Sequence, residues 1–160
     1  EATESIKSSA CLSEKCFITY SIGPYTNSRF STRDIFMYRL EDITEIRVGS
    51  IRKDDAMISI TVTYGTTTLE VKTDKPKEAE EFWSCRFQAG EIIQEVTVYF
   101  QQYIWGKALS GINILTSKGK CGPLGLATSD YEQVHGKRLV YISGWYGHYF
   151  DYLKLTFFNC

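Results

Sequence analysis

Apolar and polar residues alternate along three stretches of the chain, which is typical of a β-strand with one face in a core. These stretches are 44–48, Met57–Tyr64 and 95–100. Further segments rich in β-branched and aromatic residues are predicted as strands: 68–72, 108–116, 138–142 and 149–158. Glycines separate the segments and predict turns between them: Gly49, Gly65, Gly106, Gly119 and Gly144. The pattern predicts an all-β domain.

Two stretches depart from this pattern. Residues 1–15 are polar and lack periodicity, so we expect an N-terminal arm at 1–15 followed by one domain at 16–160. Residues 76–83 have helical character but lie between predicted strands. We interpret 76–83 as a single turn within a loop that places Phe82 and Trp83 on the core, rather than as a functional helix.

A strand, a turn and a second strand recur along the chain as a weak internal repeat of about fifty residues. The three units are 43–65, 92–119 and 139–158. Three similar units in one all-β chain predict pseudo-threefold symmetry. Alternating strands also fit a sandwich or a barrel, so the repeat favours a threefold arrangement without deciding it.

Composition supports the β prediction and limits the partners. Eleven Tyr, nine Phe and three Trp suit a pleated, half-buried surface, and the counts of 18 basic and 19 acidic side chains nearly balance. A protein held to nucleic acid or to an anionic membrane by counterion release needs a basic face, so we expect neither partner. No apolar stretch approaches the ~20 residues of a membrane span, and we expect no membrane insertion.

The cysteines indicate an oxidising compartment. There are five of them, without the paired spacing of a zinc or redox site: Cys11, Cys16, Cys85, Cys121 and Cys160. We therefore expect no metal and no cofactor, one or two disulfides that clamp the termini, and a secreted, extracellular protein. Five buried thiols in a cytosolic protein are the alternative. The sequence leaves the pairing open, and the odd thiol is either free or available for a bridge in a homo-oligomer.

Several segments carry a family resemblance. They occur in one order along the chain: 90–93 leading into 96–98, then 115–125, then 142–153. In these segments the chain resembles the jacalin-related lectins, and within them the animal zymogen-granule and salivary branch, over about residues 22–158. The resemblance implies a type I β-prism of three four-stranded Greek-key sheets with one sugar site at one end.

The last loop of the resemblance contains groups that suit a sugar. A sugar offers hydroxyls that both donate and accept, together with an apolar C–H face. Gly147 would permit a tight turn, the amides of His148 and Tyr149 would donate, Asp151 would accept two hydroxyl hydrogens, and either ring would cover the sugar. The alternative is that Asp151 caps the turn and that Gly147 serves turn geometry alone.

Two further loops meet the last loop in the family. The first loop is usually rich in paired glycines, but this chain keeps Gly23 and continues with bulkier residues, so Thr26, Asn27 or Ser28 would contact a ligand through a side chain or not at all. The middle loop offers Gln102 and Tyr103, whose amide and aromatic groups suit a polyol. Tyr103 and neighbouring Trp105 are alternatively ordinary strand aromatics.

These observations predict a carbohydrate-binding protein whose partner is a glycan or glycoprotein. One alternative is a secreted β-prism scaffold or protein-binding factor that has lost sugar binding, which the altered first loop favours. Another is a binder of anionic glycans through Arg29, Arg33 and Lys107. An enzyme is not expected, because the sequence has two histidines and no nucleophile elbow, zinc-binding helix motif or phosphate-cradling glycine loop.

Overall fold

Strands dominate the computed structural model, which describes residues 14–23 and 28–160. Within these residues a 3-10 turn, Glu14–Cys16, precedes the first strand, and a single α-helix, α1, covers Arg33–Arg39. The strands are β1 Phe17–Ile22, β2 Ser28–Ser31, β3 Glu45–Ser50, β4 Met57–Tyr64, β5 Thr67–Lys72, β6 Glu81–Arg86, β7 Ile93–Tyr103, β8 Gly106–Thr116, β9 Gly119–Gly125, β10 Tyr131–His135, β11 Leu139–Tyr146 and β12 Phe150–Phe158. Most of the predicted arm, 1–13, lies outside the described residues.

The strands form three antiparallel four-stranded sheets. The first has the order β1-β12-β11-β2, the second β5-β4-β3-β6 and the third β10-β7-β8-β9. The two central strands of each sheet are one hairpin: β11–β12, β3–β4 and β7–β8. These hairpins coincide with the three predicted repeat units, so the all-β, pseudo-threefold β-prism is confirmed.

Local details differ from the sequence predictions. Residues 76–83 contain no helical turn, because Glu81–Arg86 forms β6 and pairs with β3. Pairing with a neighbouring strand overrides the local helical character there. Helix α1 was not predicted, since seven residues are too few for a periodic signal, and its anchor is the fully buried Phe36. No helix among the described residues is long and apolar enough to cross a membrane.

Two predicted turn glycines lie inside strands. Gly49 is in β3 and Gly144 is in β11. A β-carbon on Gly49 would lie 2.3 Å from Oγ of Ser59, and one on Gly144 would lie 2.4 Å from the carbonyl oxygen of Tyr152. Both glycines therefore permit close approach of neighbouring strands, and the turn prediction at these two positions is wrong.

The core fills the centre of the prism with side chains from all three sheets. Val48 and Ile60 of the second sheet, Val98 of the third and Phe157 of the first are completely buried. Apolar side chains removed from water in this way are the main stabilising contribution to such a fold.

A buried hydrogen-bond chain links the second sheet to the first. The hydroxyl of Tyr64 donates to the carbonyl oxygen of Val140 at 2.6 Å and lies 2.8 Å from Oγ1 of Thr32, which accepts from the Ile142 amide at 2.9 Å. Burial raises the pKa of the Tyr64 hydroxyl, against the opposing effect of its hydrogen bond to Thr32. The hydroxyl therefore remains a neutral donor that ties β4 to β11.

Two disulfides reinforce the prism. Cys16–Cys160 joins the two ends of the domain, as predicted, and Cys85–Cys121 joins β6 of the second sheet to β9 of the third. These bonds use four of the five cysteines, and the fifth, Cys11, lies outside the described residues. The homo-oligomer through an odd thiol stays a prediction.

The turns of the three central hairpins contact one another at one end of the prism. Tyr103, the last residue of β7, hydrogen-bonds to Asp55 in the loop between β3 and β4. The ring of Tyr103 also stacks on that of Tyr149, which lies between β11 and β12. Residues far apart in sequence are thereby brought to the end where the last loop lies.

Candidate functional site

A cleft of about 230 Å³ lies beside the β11–β12 turn. Its lining consists of Trp105, His148, Tyr149 and Asp151, so the structure brings together three predicted residues of the last loop and one aromatic of the middle loop. Asp151 and Tyr149 are 9% and 8% exposed, whereas His148 is exposed. The cleft thus combines a largely enclosed carboxyl group with aromatic walls.

Backbone hydrogen bonds fix the shape of the β11–β12 turn. The amide of Gly147 donates to the carbonyl oxygen of Tyr149 at 3.0 Å, and the carbonyl oxygen of Gly147 accepts from the Asp74 amide at 2.9 Å. The second bond comes from the connection between β5 and β6. The turn is therefore held by the neighbouring sheet as well as by its own strands.

The φ angle of Gly147 lies outside the left-handed region, and a β-carbon there would meet nothing within 4 Å. The expectation that Gly147 is needed to permit the turn is therefore wrong, because other residues adopt such a backbone conformation. Glycine leaves open space beside the turn instead.

Gly23 lies in close contact with the backbone of β12. Its φ is +100°, and a β-carbon there would lie 2.0 Å from the carbonyl oxygen of Asp151. The chain after β1 therefore passes directly against the backbone that carries the Asp151 carboxyl group. Asn27 lies outside the described residues, and half-buried Ser28 begins β2, where it pairs with Tyr146.

Three aromatic rings lie nearly parallel beside the carboxyl group. The ring centroids of Tyr103 and Trp105 are 5.0 Å apart at an interplanar angle of 6°. Those of Tyr103 and Tyr149 are 5.5 Å apart at 15°, and those of Trp105 and Tyr149 are 6.0 Å apart at 9°. We call Tyr103, Trp105 and Tyr149 the aromatic wall. Trp105 is 61% exposed at the hairpin tip, so it is not an ordinary strand aromatic.

Tyr103 supports the aromatic wall from the side of the second sheet. Its hydroxyl donates a short hydrogen bond to Oδ1 of Asp55 and accepts one from the Ala56 amide at 3.1 Å. That amide also donates to Oδ1 of Asp55 at 2.8 Å. Burial, followed by the hydrogen bond to Asp55, raises the pKa of the Tyr103 hydroxyl. Asp55 was not singled out from the sequence, because its partner is 48 positions away.

Gln102 braces the β7–β8 turn. Its side-chain amide donates to the carbonyl oxygens of Tyr103 at 3.1 Å and Gly106 at 3.2 Å. These bonds hold the hairpin that presents Trp105 to the cleft. Gln102 is not among the residues that line the cleft.

The three basic residues proposed for anionic glycans do not line the cleft, and each has a different neighbour. Arg33 lies 3.6 Å from Asp34, and Lys107 lies 3.4 Å from Asp130. Arg29 lies over the ring of Trp145 at 6.0 Å. The ammonium group of Lys75 is instead 4.9 Å from the centroid of the Tyr149 ring, a cation beside the cleft that sequence reasoning missed.

Comparisons with known proteins find the same architecture in lectins. The family model described as the jacalin-like lectin domain matches residues 22–155. A search of curated protein sequences found no significant match. Among solved structures, Calystegia sepium agglutinin has a TM-score of 0.73 at 18% identity and covers 87% of this chain and 95% of its own.

Two further structures agree with that match. Single-chain recombinant jacalin has a TM-score of 0.70 at 15% identity and covers 94% of this chain and 98% of its own. A mannose-specific jacalin-related lectin from Morus nigra, solved with mannose, has a TM-score of 0.67 at 15% identity. The match covers 88% of this chain and 93% of that lectin. At such identities these likenesses show the shared fold. The family match over residues 22–155 establishes that the chain belongs to the jacalin-like lectin domain family.

Proposed function

We propose that this protein is a lectin that binds a mono- or oligosaccharide in the cleft beside the β11–β12 turn. The observation that carries the proposal is the convergence in one cleft of the Asp151 carboxyl group with the exposed Trp105 ring and Tyr149. The family supports carbohydrate binding without catalysis. The cleft contains the two kinds of group that a sugar requires.

Each part of the cleft has a role in this proposal. Asp151 accepts hydrogen bonds from two sugar hydroxyls, because an ionised carboxylate offers acceptors alone. The backbone amides of His148 and Tyr149 donate to ring and exocyclic oxygens. Trp105 packs against the C–H face of the sugar, as an aromatic ring with one open side can.

The space beside Gly147 lets the sugar approach the backbone. Asn27 and Ser28 are kept in this proposal as candidate ligand contacts through their side chains. Gln102 contributes by holding the β7–β8 turn. A single shallow site of this kind binds a monosaccharide with a dissociation constant on the order of millimolar, so long glycans or several copies of the protein supply useful avidity.

We further propose that the lectin domain spans 16–160, is secreted, and belongs to the animal zymogen-granule and salivary branch. The Cys16–Cys160 disulfide, which joins the ends of that span, supports the boundaries. Two disulfides suit an oxidising compartment, which supports secretion. The branch rests on the resemblance of segments 90–98, 115–125 and 142–153.

A glycan array tests the proposed function. Wild type is compared with Asp151→Asn, which keeps the side-chain shape but replaces one acceptor by a donor. Asp34→Asn is the matched control, because its side chain is 99% exposed on α1 and does not line the cleft. We expect wild type and Asp34→Asn to bind the same glycans and Asp151→Asn to lose them. Equal binding by all three proteins would contradict the proposed role of Asp151. Binding by none would contradict sugar binding itself and favour a scaffold that has lost it.

A further inference from the structure

One tyrosine joins the three hairpins at the cleft end of the prism. Tyr103 is the last residue of β7, its hydroxyl bonds to Asp55 in the β3–β4 loop, and its ring stacks on Tyr149 in the β11–β12 turn. The ring contacts that the structure gives for Trp105 are with Tyr103 and Tyr149. The orientation of the exposed Trp105 therefore depends on how firmly Tyr103 is held.

The hydroxyl group adds two directional hydrogen bonds to the apolar packing of the Tyr103 ring. The small buried cluster there consists of Ala56, Ile58, Ala108 and Tyr149, with Tyr103 itself only partly buried against it. The hydroxyl is fixed by both Oδ1 of Asp55 and the Ala56 amide.

We infer that Asp55 is a positioning residue for the cleft: its carboxyl group tethers Tyr103, and Tyr103 holds Trp105 and Tyr149 in the parallel arrangement of the aromatic wall. Asp55 does not line the cleft, so it acts through Tyr103 and not on the ligand. The tether itself concerns only the geometry of the aromatic wall. Its consequence for sugar affinity rests on the proposed function.

Asp55 also has a local role, which the test must distinguish from its effect on Tyr103. Its Oδ1 accepts from the amide of the next residue, Ala56, and thereby shapes the β3–β4 loop. If Asp55 only shaped its own loop, Asp55→Ala and Tyr103→Phe would change the exposure of Trp105 independently of each other. A tether makes the two effects non-additive, because either substitution removes the same hydrogen bond.

The test measures the accessibility of Trp105 by acrylamide quenching of its fluorescence. The signal of Trp105 is isolated by subtracting the Trp105→Phe derivative of each protein. The variants are Asp55→Ala, Tyr103→Phe and the double substitution. Asp54→Ala is the control, since Asp54 is the exposed neighbour of Asp55 in the same loop.

A second control, Tyr99→Phe, removes a hydroxyl from β7 at a residue whose ring contacts Tyr131 away from the cleft. We expect both single variants at the tether to increase Trp105 quenching, Tyr103→Phe at least as much as Asp55→Ala because it also removes the bond from the Ala56 amide. The double variant should increase quenching no further than Tyr103→Phe, and both controls should match wild type. Asp55→Asn should restore the wild-type value, because its amide oxygen still accepts from the tyrosine hydroxyl. Unchanged quenching in Tyr103→Phe, or additive effects in the double variant, would overturn the tether.

The same proteins are titrated calorimetrically with methyl α-mannoside and methyl α-galactoside. For the glycoside that wild type binds, we expect Asp55→Ala and Tyr103→Phe each to weaken binding on the order of fivefold, which is the value of one hydrogen bond, and the double variant to lose no more. Wild type that binds neither glycoside would count against the proposed function for these sugars. The quenching measurement decides the tether independently of that result.

Discussion

The contact between the first loop and Asp151 gives a sharp prediction for Gly23→Ala. At this position the backbone has φ +100°, and the added methyl carbon would lie 2.0 Å from the carbonyl oxygen of Asp151. Two costs therefore act together in the variant. One is the strain of a left-handed backbone on an L-residue, and the other is a clash that requires the first loop or β12 to move by about 1 Å.

Gly90 separates these two costs. Its φ is +80°, but a β-carbon there would meet nothing within 4 Å, so Gly90→Ala incurs backbone strain alone. That strain is worth about 1–2 kcal/mol of unfolding free energy. The clash in Gly23→Ala adds about 1–3 kcal/mol, the usual range for overpacking, and gives a total loss of about 2–5 kcal/mol.

Guanidinium denaturation of both variants and wild type measures the loss of unfolding free energy in each variant. Calorimetric titration with a sugar that wild type binds measures the consequence at the cleft. We expect Gly23→Ala to be the less stable variant and to bind sugar about tenfold more weakly, because displacement of the Asp151 backbone moves its carboxyl group. Gly90→Ala should bind as wild type does. Equal stability of the two variants, with wild-type sugar affinity in Gly23→Ala, would refute the close contact between Gly23 and the backbone of Asp151.

Three further predictions concern the core, a buried charge and the aromatic wall. Tyr64→Phe should lower the unfolding free energy by about 1–3 kcal/mol, measured by denaturation against Tyr99→Phe, because it leaves buried hydrogen-bonding groups without their partner. Burial raises the pKa of Asp42 above its ordinary 3.8 despite the opposing charge of Arg138. The stability of wild type relative to Asp42→Asn should therefore increase as the pH falls through that raised pKa, and an opposite trend in pH-dependent denaturation would contradict this. Trp105→Ala should reduce sugar affinity with less than about 1 kcal/mol loss of stability, because a side chain 61% exposed contributes little to the core.

The sequence predicted the central hairpins because their signals are local. Alternation in Met57–Tyr64 and in 95–100, and Gly106 at the end of the β7–β8 turn, belong to a few consecutive residues. Among the edge strands, β5 was predicted as 68–72, but the others lack such a signal: β1 is defined by pairing with β12, at the other end of the domain. Helix α1 and the pairing of the cysteines likewise depend on contacts between distant parts of the chain.

The candidate cleft was predictable in part for the same reason. The last loop carries its residues within five positions, and Gly147, His148, Tyr149 and Asp151 could be proposed together. Trp105 and Asp55 join them through the meeting of three hairpins, which no local pattern encodes. The role assigned to Gly147 was wrong because residue type does not determine φ.

The central claim is that Asp151 binds the hydroxyls of a neutral sugar, and calorimetric titration at two salt concentrations tests it most directly. A glycan bound on the array is titrated into wild type and Asp151→Asn at about 50 mM and about 300 mM salt, a range over which exposed charges become screened. We predict that wild-type affinity is nearly independent of salt and that Asp151→Asn loses at least about tenfold at both concentrations, the value of a charge-assisted hydrogen bond. Equal affinity of the two proteins would contradict the role of Asp151, and wild-type binding that collapses at the higher salt would contradict a neutral sugar and favour an anionic ligand held by basic side chains.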